Sequence, residues 1–527
     1  MRMLFFFSTI FLFLVVYAMS RYWQPAALSF ILFVPIILIG LHDVFQKKHA
    51  ILRNFPVVGH FRYILEMIRP EIQQYFIETS NSGKPFSKEE RSIVYQRAKN
   101  VTDTLPFGTQ KEIYVEGYEW ISHSMNPTEI PHTPPRVLIG NELTSKPYSA
   151  SLLNISAMSF GSLSKNAVLA LNKGALKGGF SHNTGEGSIS PHHLEHGGDL
   201  VWQVGTGYFG CRDKNGNFDK VSFAERATLE NVKMIEIKIS QGAKPGHGGI
   251  LPGEKVTEEI ADIRLVEAGK DVISPSAHTA FKTPIELMHF IQNLRELSGG
   301  KPVGFKVCIG KKSDFFAVCK AMMETKIYPD FITVDGGEGG TGAAPLEFTN
   351  RIGAPLNDGL VFAHNTLVGC GLRDKMKIIA SARVITGFAL IKRMALGADL
   401  CNSARGMMFA LGCIQALRCN SNHCPAGIAT QDPGLMFGLD IDDKAERIYN
   451  FHKLTLESFL HVLSAAGFEG PEHIRPWHIN RRVSDVKVLN FYDIYNFLEV
   501  GQLNEGIIPE SWERAWTSSK ASEFKVG

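Results

Sequence analysis

Cys413, Cys419 and Cys424 bring three of the chain's eight cysteines into twelve residues, within the stretch CIQALRCNSNHCPAG. Thiols at this spacing suit zinc ligands, core cysteines or iron–sulfur ligands. Zinc sites are usually built from C-x-x-C pairs and four ligands, which are missing here unless His423 serves. Core cysteines are common singly but rarely cluster amid polar residues such as NSNH. Three thiolates beside a proline that stops the chain folding onward fit an iron–sulfur cluster better.

Two stretches match G-x-G-x-x-G, GTGYFG at 205–210 and GEGGTG at 337–342. Neither opens a strand–turn–helix unit with the acidic residue that a dinucleotide fingerprint requires, so that reading is rejected. The second still matters. Gly336, Gly337, Gly339, Gly340 and Gly342, interrupted by Glu338 and Thr341, strip side chains from one loop and let backbone N–H groups approach a ligand. A plain turn needs one or two glycines. In ISQGAKPGHGGILPG and the strand before it, Lys238 and Lys244 can present cations to a carboxylate. Lys306 stands inside the apolar run VGFKVCI, where it must find a partner or lose its charge. Glu186 lies between glycines in SHNTGEGS, placed to move protons or guide an ammonium. His192, His193 and His196 crowd the same region but are not read as a metal site.

Positioning these groups requires repeated strand–loop–helix units. Between about Val137 and Thr430, apolar runs precede glycine-rich turns: MIEIKIS, VGFKVCI, FITVDGG and MKIIASA. Helical stretches such as SKNAVLALNKGALKGG, PIELMHFIQNLREL and ITGFALIKRMALGA separate them. The count and length predict an α/β fold, a (β/α)8 TIM barrel, whose post-strand loops open on one face. The expected divisions are a helical hairpin over 1–45, a helical and irregular extension over 46–140, the barrel over 141–435 and a helical extension over 436–527. NPTEIPHTPPRV is expected to be an extended linker, and the end from about Pro509 a polar, frayed tail.

With 527 residues, 44% hydrophobic and 20% charged, the chain can bury a large core. A net charge of +3 excludes a general nucleic-acid binder. Met3–Ser20 and Gln24–Leu41 carry no charge, and each is long enough to cross a bilayer. Tyr22 and Trp23 between them suit an interface. Lys47, Lys48 and Arg53 after them predict a two-helix anchor with the barrel in the cytoplasm. A cleaved signal peptide ending at YAMS is the competing reading of the first run.

ISAMSFGSLS, NTGEGS, EIKISQGAKPGHGGILPG, VISPSAH, VDGGEGGTGAAPL and CIQALRCNSNHCPAGIATQ follow one another in an order that resembles the FMN-binding synthase domain of glutamate synthase. The resemblance spans roughly residues 140–435 and is strongest to short relatives with a membrane hairpin. It implies a barrel carrying FMN and a three-iron (3Fe-4S) cluster. It also implies reduction of 2-iminoglutarate, formed from 2-oxoglutarate and ammonia, to L-glutamate. By the same resemblance Cys413, Cys419 and Cys424 match cluster ligands. Lys244 and Arg264 match positions that bind the 2-oxo acid, and Glu186 matches a glutamate near the ammonia entrance. Met158, Ser159, Gln203, Lys306, the 336–342 loop and Arg405 fall on segments that hold FMN.

The chain departs from the family at His247, Ile250 and Tyr208, where glutamate, glutamine and arginine are usual. The phosphate-side loop reads ASARVITG, with Arg383 and Arg405 as candidate replacements for the lost lysine. Set against the family pattern, the sequence leads us to expect neither a glutamine amidotransferase before the barrel nor an NADPH domain after it. The expected partners are therefore a 2-oxo acid, ammonia that is free or supplied by a separate amidotransferase, a separate electron-donor protein and the membrane. Two other functions fit the same residues. One is a membrane-linked FMN dehydrogenase of amino or hydroxy acids, and the other a non-catalytic membrane-tethered module.

Overall fold

The computed structural model describes residues 1–101, 104–131 and 133–524. It divides into two compact units, Met1–Glu89 and Glu90–Gly527. In the first, Arg2–Tyr22 and Gln24–Phe45 are apolar and long enough to cross a membrane by length and composition. They run antiparallel: Phe13 meets Phe30, with ring centroids 5.3 Å apart. At the open end, a Cβ on Gly40 would stand 2.2 Å from the Phe5 ring. Only glycine lets the helices approach there.

The second unit is built on a closed barrel of eight parallel strands. In chain order they are β1 (Leu153–Ile155), β2 (His182–Asn183), β3 (Leu200–Val204), β4 (Val232–Lys238), β5 (Val303–Val307), β6 (Phe331–Asp335), β7 (Lys377–Ser381) and β8 (Leu400–Ser403). β8 pairs with β1 and closes the ring. Helices follow the strands: α1 (Lys165–Gly178), α2 (Pro191–Leu194), α3 (Lys220–Ala227), α4 (Pro284–Leu297), α5 (Lys312–Thr325), α6 (Leu356–Gly369), α7 (Gly387–Ala395) and α8 (Arg405–Leu411). Local chemistry sets their starts. Ser164, Asp219, Thr283 and Thr386 each accept a backbone N–H in the first turn of the helix they cap. The expected barrel is thus present, with each quoted apolar run on a strand.

One mouth of the barrel is plugged. An antiparallel hairpin, Arg136–Ile139 with Tyr148–Ser151, packs Ile139, Tyr148 and Ala150 on Val201, Met234, Phe331, Ile379 and Leu400. These strand residues lie toward the strand starts, so the open mouth is at the C-terminal ends. The helix Ile441–Ala465 packs along α1, α7 and α8 and covers the seam between β8 and β1.

Segments from both extensions join one small sheet, where Glu119–Ile121 pairs with Ile479–Arg482 and that strand with Val488–Asn490. The end of the chain differs from the expected frayed tail. Glu510–Ser518 is a helix, because Trp512 and Trp516, one turn apart, pack on Phe316 and Phe362. Lys320 on α5 ties it down through the carbonyls of Trp516 and Ser519. The expected linker over 126–137 includes residue 132, and the tail includes 525–527, all outside the described residues.

Candidate active site at the open mouth of the barrel

Alternation along β4 turns Glu236 and Lys238 to the same, inner face. Glu236 is buried and accepts three hydrogen bonds: from Asn183 at 2.8 Å, Gln203 at 2.7 Å and Thr333 at 2.6 Å. This network forms a polar floor across β2, β3, β4 and β6. Register sets Lys306 on β5 beside Lys238 on one side and Thr333 on the other. Two neighbouring buried ammonium groups are tolerable only with counter-charges. Each has one: Lys238 Nζ is 2.7 Å from Glu186 Oε1, and Lys306 Nζ is 3.2 Å from Asp335 Oδ2. Burial pulls the pKa of Lys306 down, but Asp335 and Glu236 outweigh this and raise it above the usual lysine value.

Glu186 comes from the loop after β2 and is half-buried at the mouth. Burial pushes its carboxyl up, yet Lys238, then Lys244 and Arg264, outweigh that and hold it below the usual carboxylate range. Lys244 and Arg264 both come from the long segment between β4 and α4. Burial, with Lys238 nearby, lowers Lys244 to about 8. Its Nζ donates to the Ala343 carbonyl at 2.9 Å, so it also touches the loop after β6. Arg264 donates to the Phe160 carbonyl at 2.8 Å and lies over the Phe209 ring at 5.1 Å. Among the described residues its buried Nε has no partner, and neither has Ser274 Oγ. Burial lowers Arg264 to about 10, against the pull of Glu186. Both groups are cations at neutral pH.

Glycines make the crowding possible. A Cβ at Gly249 would stand 2.5 Å from Glu186 Oε1, one at Gly205 2.7 Å from Glu186 Oε2, and one at Gly187 2.8 Å from Arg264 Nη2. A Cβ at Gly242 would meet the Gly336 carbonyl at 1.6 Å, so the loops after β4 and β6 touch backbone to backbone. Met158 is buried and Ser159 half-buried in the loop after β1. A Cβ on Gly185 would meet the Ser159 nitrogen at 2.6 Å.

In the loop after β6, Gly336 is buried, Gly337 and Gly339 are half-buried, and Gly340, Thr341 and Gly342 are exposed at the mouth. Arg405, at the start of α8, passes over this loop. Its Nε would be 2.8 Å from a Cβ on Gly340, and its Nη2 donates to the Glu338 carbonyl. Exposed glycine backbone beside a guanidinium fits an anionic cofactor group such as a phosphate. Arg383, the other candidate, is engaged with Glu90 at 2.9 and 3.1 Å.

Cys413, Cys419 and Cys424 fall in one tightly wound segment, with Gln415, Leu417 and Asn422 all at positive φ. Among the described residues, no group of three His, Cys, Asp or Glu side chains stands close enough to hold a metal ion. Burial raises the Cys413 thiol to about 12 and also raises Cys419. Lys255 is buried beside them and donates to the carbonyls of Cys419 and Ala429, both at 2.8 Å. Three soft sulfur donors on one loop, with a cation adjacent, match the donor chemistry of an iron–sulfur cluster.

Glu186, Lys244, Arg264, Lys306 and the glycine loop thus gather at one mouth. Gln203 lies deeper, on the floor. Glu236 and Asp335 were missed in the sequence, although a carboxylate inside an apolar strand run was the available signal. His278 was missed too: it contacts the Tyr208 hydroxyl and the Lys238 carbonyl, both at 3.0 Å, and burial lowers it to about 4, so it is neutral.

The family described as a conserved region in glutamate synthase matches residues 114–469. The chain is 38% identical over 504 residues to the glutamate synthase large subunit-like protein YerD of Bacillus subtilis (strain 168), covering 87% of this chain and 95% of that protein. It is 35% identical over 322 residues to the archaeal glutamate synthase (NADPH) of Methanocaldococcus jannaschii, covering 61% of this chain and 60% of that one. The large chain of Bacillus subtilis glutamate synthase (NADPH) is 32% identical over 319 residues, 59% of this chain and 20% of its own length.

Proposed function

This chain belongs to the glutamate synthase family, and on that premise we propose that it is an FMN and iron–sulfur oxidoreductase that reductively forms L-glutamate from 2-oxoglutarate and ammonia. The supporting observation is the charge balance at the mouth. Lys238, Lys244 and Arg264 surround one carboxylate, Glu186, and with Lys306, Asp335 and Glu236 of the floor counted the site keeps an excess of one positive charge. That excess suits an anionic 2-oxo acid, whose carboxylates would occupy Lys244 and the Nε of Arg264, which has no partner among the described residues. Glu186, held ionised by its cations, serves as an acceptor for ammonium rather than as a general acid. Lys244, lowered to about 8, is the group able to give a proton to a developing amine or alkoxide near neutral pH.

FMN, when bound, would supply hydride transfer, and the cluster single-electron delivery. Met158, Ser159, Gln203, Lys306, the 336–342 loop and Arg405 are the residues proposed to hold the flavin. Cys413, Cys419 and Cys424 are proposed to hold the cluster. The barrel, within 141–435, is the cofactor domain, and electrons come from a separate protein.

Localisation is proposed from the first unit. Its apolar helices form a membrane anchor, and Arg2, Lys47, Lys48 and Arg53 beside its open end put the barrel on the cytoplasmic side. The apolar helices also favour a second reading, a dehydrogenase that passes electrons to a membrane acceptor.

One experiment separates the two. The purified protein is reduced anaerobically and mixed with 2-oxoglutarate, with and without ammonium. Flavin reoxidation that needs both compounds supports glutamate synthesis. Dye reduction driven by an amino or hydroxy acid, without such reoxidation, supports the reverse reaction.

A further inference from the structure

Beyond the two apolar helices, the first unit carries an element whose large apolar side chains are exposed. His60–Ile72 is a 13-residue helix with no buried residue, continued by a wider turn over Gln73–Ile77. Its sequence is strongly sided. Phe61, Ile64, Leu65, Ile68 and Ile72 fall on one face, flanked by Arg62, Glu66, Arg69 and Gln73 on one side and by Glu71 on the other. Arg62 and Glu66 pair one turn apart at 2.9 Å on the polar face. On the apolar side Phe61 is 66% exposed, and Phe76 in the continuation is 85% exposed. A helix of this length is marginal in water without a surface on which to bury its stripe.

Its start is held rigidly. Asp43, fully buried near the end of the second apolar helix, accepts from His60 Nε2 at 2.9 Å and from the Val57 amide at 2.9 Å. Arg2, at the start of the first apolar helix, donates to the Arg53 carbonyl and to Asn54, both at 2.8 Å. The sided helix therefore leaves from the end of the hairpin where both apolar helices terminate. Arg2, Lys47, Lys48 and Arg53 concentrate at that end, while along the helix Arg62 and Arg69 are balanced by Glu66 and Glu71. Apolar side chains on one face, basic groups gathered at its start and a start fixed beside two apolar helices together describe an interfacial segment.

We propose that His60–Ile77 lies flat in the headgroup region of an anionic bilayer, with Phe61, Ile64, Ile68 and Phe76 entering the acyl boundary. This rests on the membrane-anchor reading of the two apolar helices and adds a third contact that fixes how the chain leaves the bilayer.

The test places the photoreactive residue p-benzoylphenylalanine singly at Phe61, Ile64, Ile68 or Phe76. Position Glu66 serves as the polar-face control and Leu14 as the hairpin control. The full chain is reconstituted in nanodiscs of phosphatidylcholine with phosphatidylglycerol, irradiated and read by mass spectrometry. Lipid adducts at the four apolar sites and at Leu14, but not at Glu66, are expected. Adducts at Leu14 with none at the four sites overturn the proposal and leave the anchor standing. Absence of adducts at Leu14 as well removes the anchor and the proposal together. Protein crosslinks in place of lipid adducts at the four sites overturn it in favour of a protein interface.

Discussion

Replacing Lys244 with methionine keeps the buried stem and removes the charge that the proposed 2-oxo acid needs. A hydrogen bond to a charged group contributes about 1.5–3 kcal/mol. The expected loss in 2-oxoglutarate affinity is therefore about ten- to a hundredfold. The pH dependence is the sharper test. With its pKa lowered to about 8, Lys244 carries its charge below that pH and loses it above. Parent affinity should be flat up to about pH 8 and then fall as pH rises, and the Lys244→Met variant should lack that fall. Stability should move the other way. The folded pKa lies below the unfolded lysine value of 10.5, so the unfolded chain binds more protons between the two. The charged lysine then costs the fold up to about 3 kcal/mol below pH 8, relieved as pH rises toward 10.5. Lys244→Met should thus melt no lower than the parent at pH 7. The assay is equilibrium titration of the oxidised holoprotein with 2-oxoglutarate from pH 6.5 to 9.5 (an instrument range of about three pH units), with FMN content measured in parallel. A variant that keeps the alkaline fall, or that loses FMN and the 2-oxo acid equally, refutes the assignment.

Glu186→Gln leaves Lys238 buried without its counter-ion, and removing one partner of a buried pair costs about 3–5 kcal/mol. The melting temperature should fall by several degrees, and ammonium-dependent turnover should be lost while 2-oxoglutarate still binds. Cys419→Ser should abolish the iron–sulfur EPR signal and leave most FMN bound; an unchanged signal would remove Cys419 from the ligand set. Arg295 on α4 pairs with Asp330 at 3.0 Å, both buried far from the mouth. Arg295→Met should cost about 3–5 kcal/mol in denaturant unfolding without altering substrate affinity in the protein that remains folded.

The barrel was legible because each strand declares itself locally. MIEIKIS, FITVDGG and MKIIASA pair β-branched residues with a following glycine turn, and the cap residues Ser164, Thr283 and Thr386 mark where helices begin. The chain end was misread for the opposite reason. Trp512 and Trp516 make a helix only because Phe316 and Phe362 lie beneath them, and a local pattern does not reveal a distant partner. Arg383 looked free to hold an anion, whereas the fold sets Glu90 against it.

At the mouth the division is similar. Residue types and order along the chain singled out Glu186, Lys244, the 336–342 loop and the three cysteines as candidate groups, and the family resemblance added Arg264. Which charge neutralises which is a property of barrel closure. Closure brings the loop after β2 to Lys238 on β4 and sets Asp335 on β6 against Lys306 on β5. It also gathers Asn183, Gln203 and Thr333 around Glu236. Protonation follows from those neighbours and from burial, neither of which is encoded at the position itself. Glu186 is an ionised acceptor and Lys244 a cation titrating near 8 only because the strands between them close into a ring.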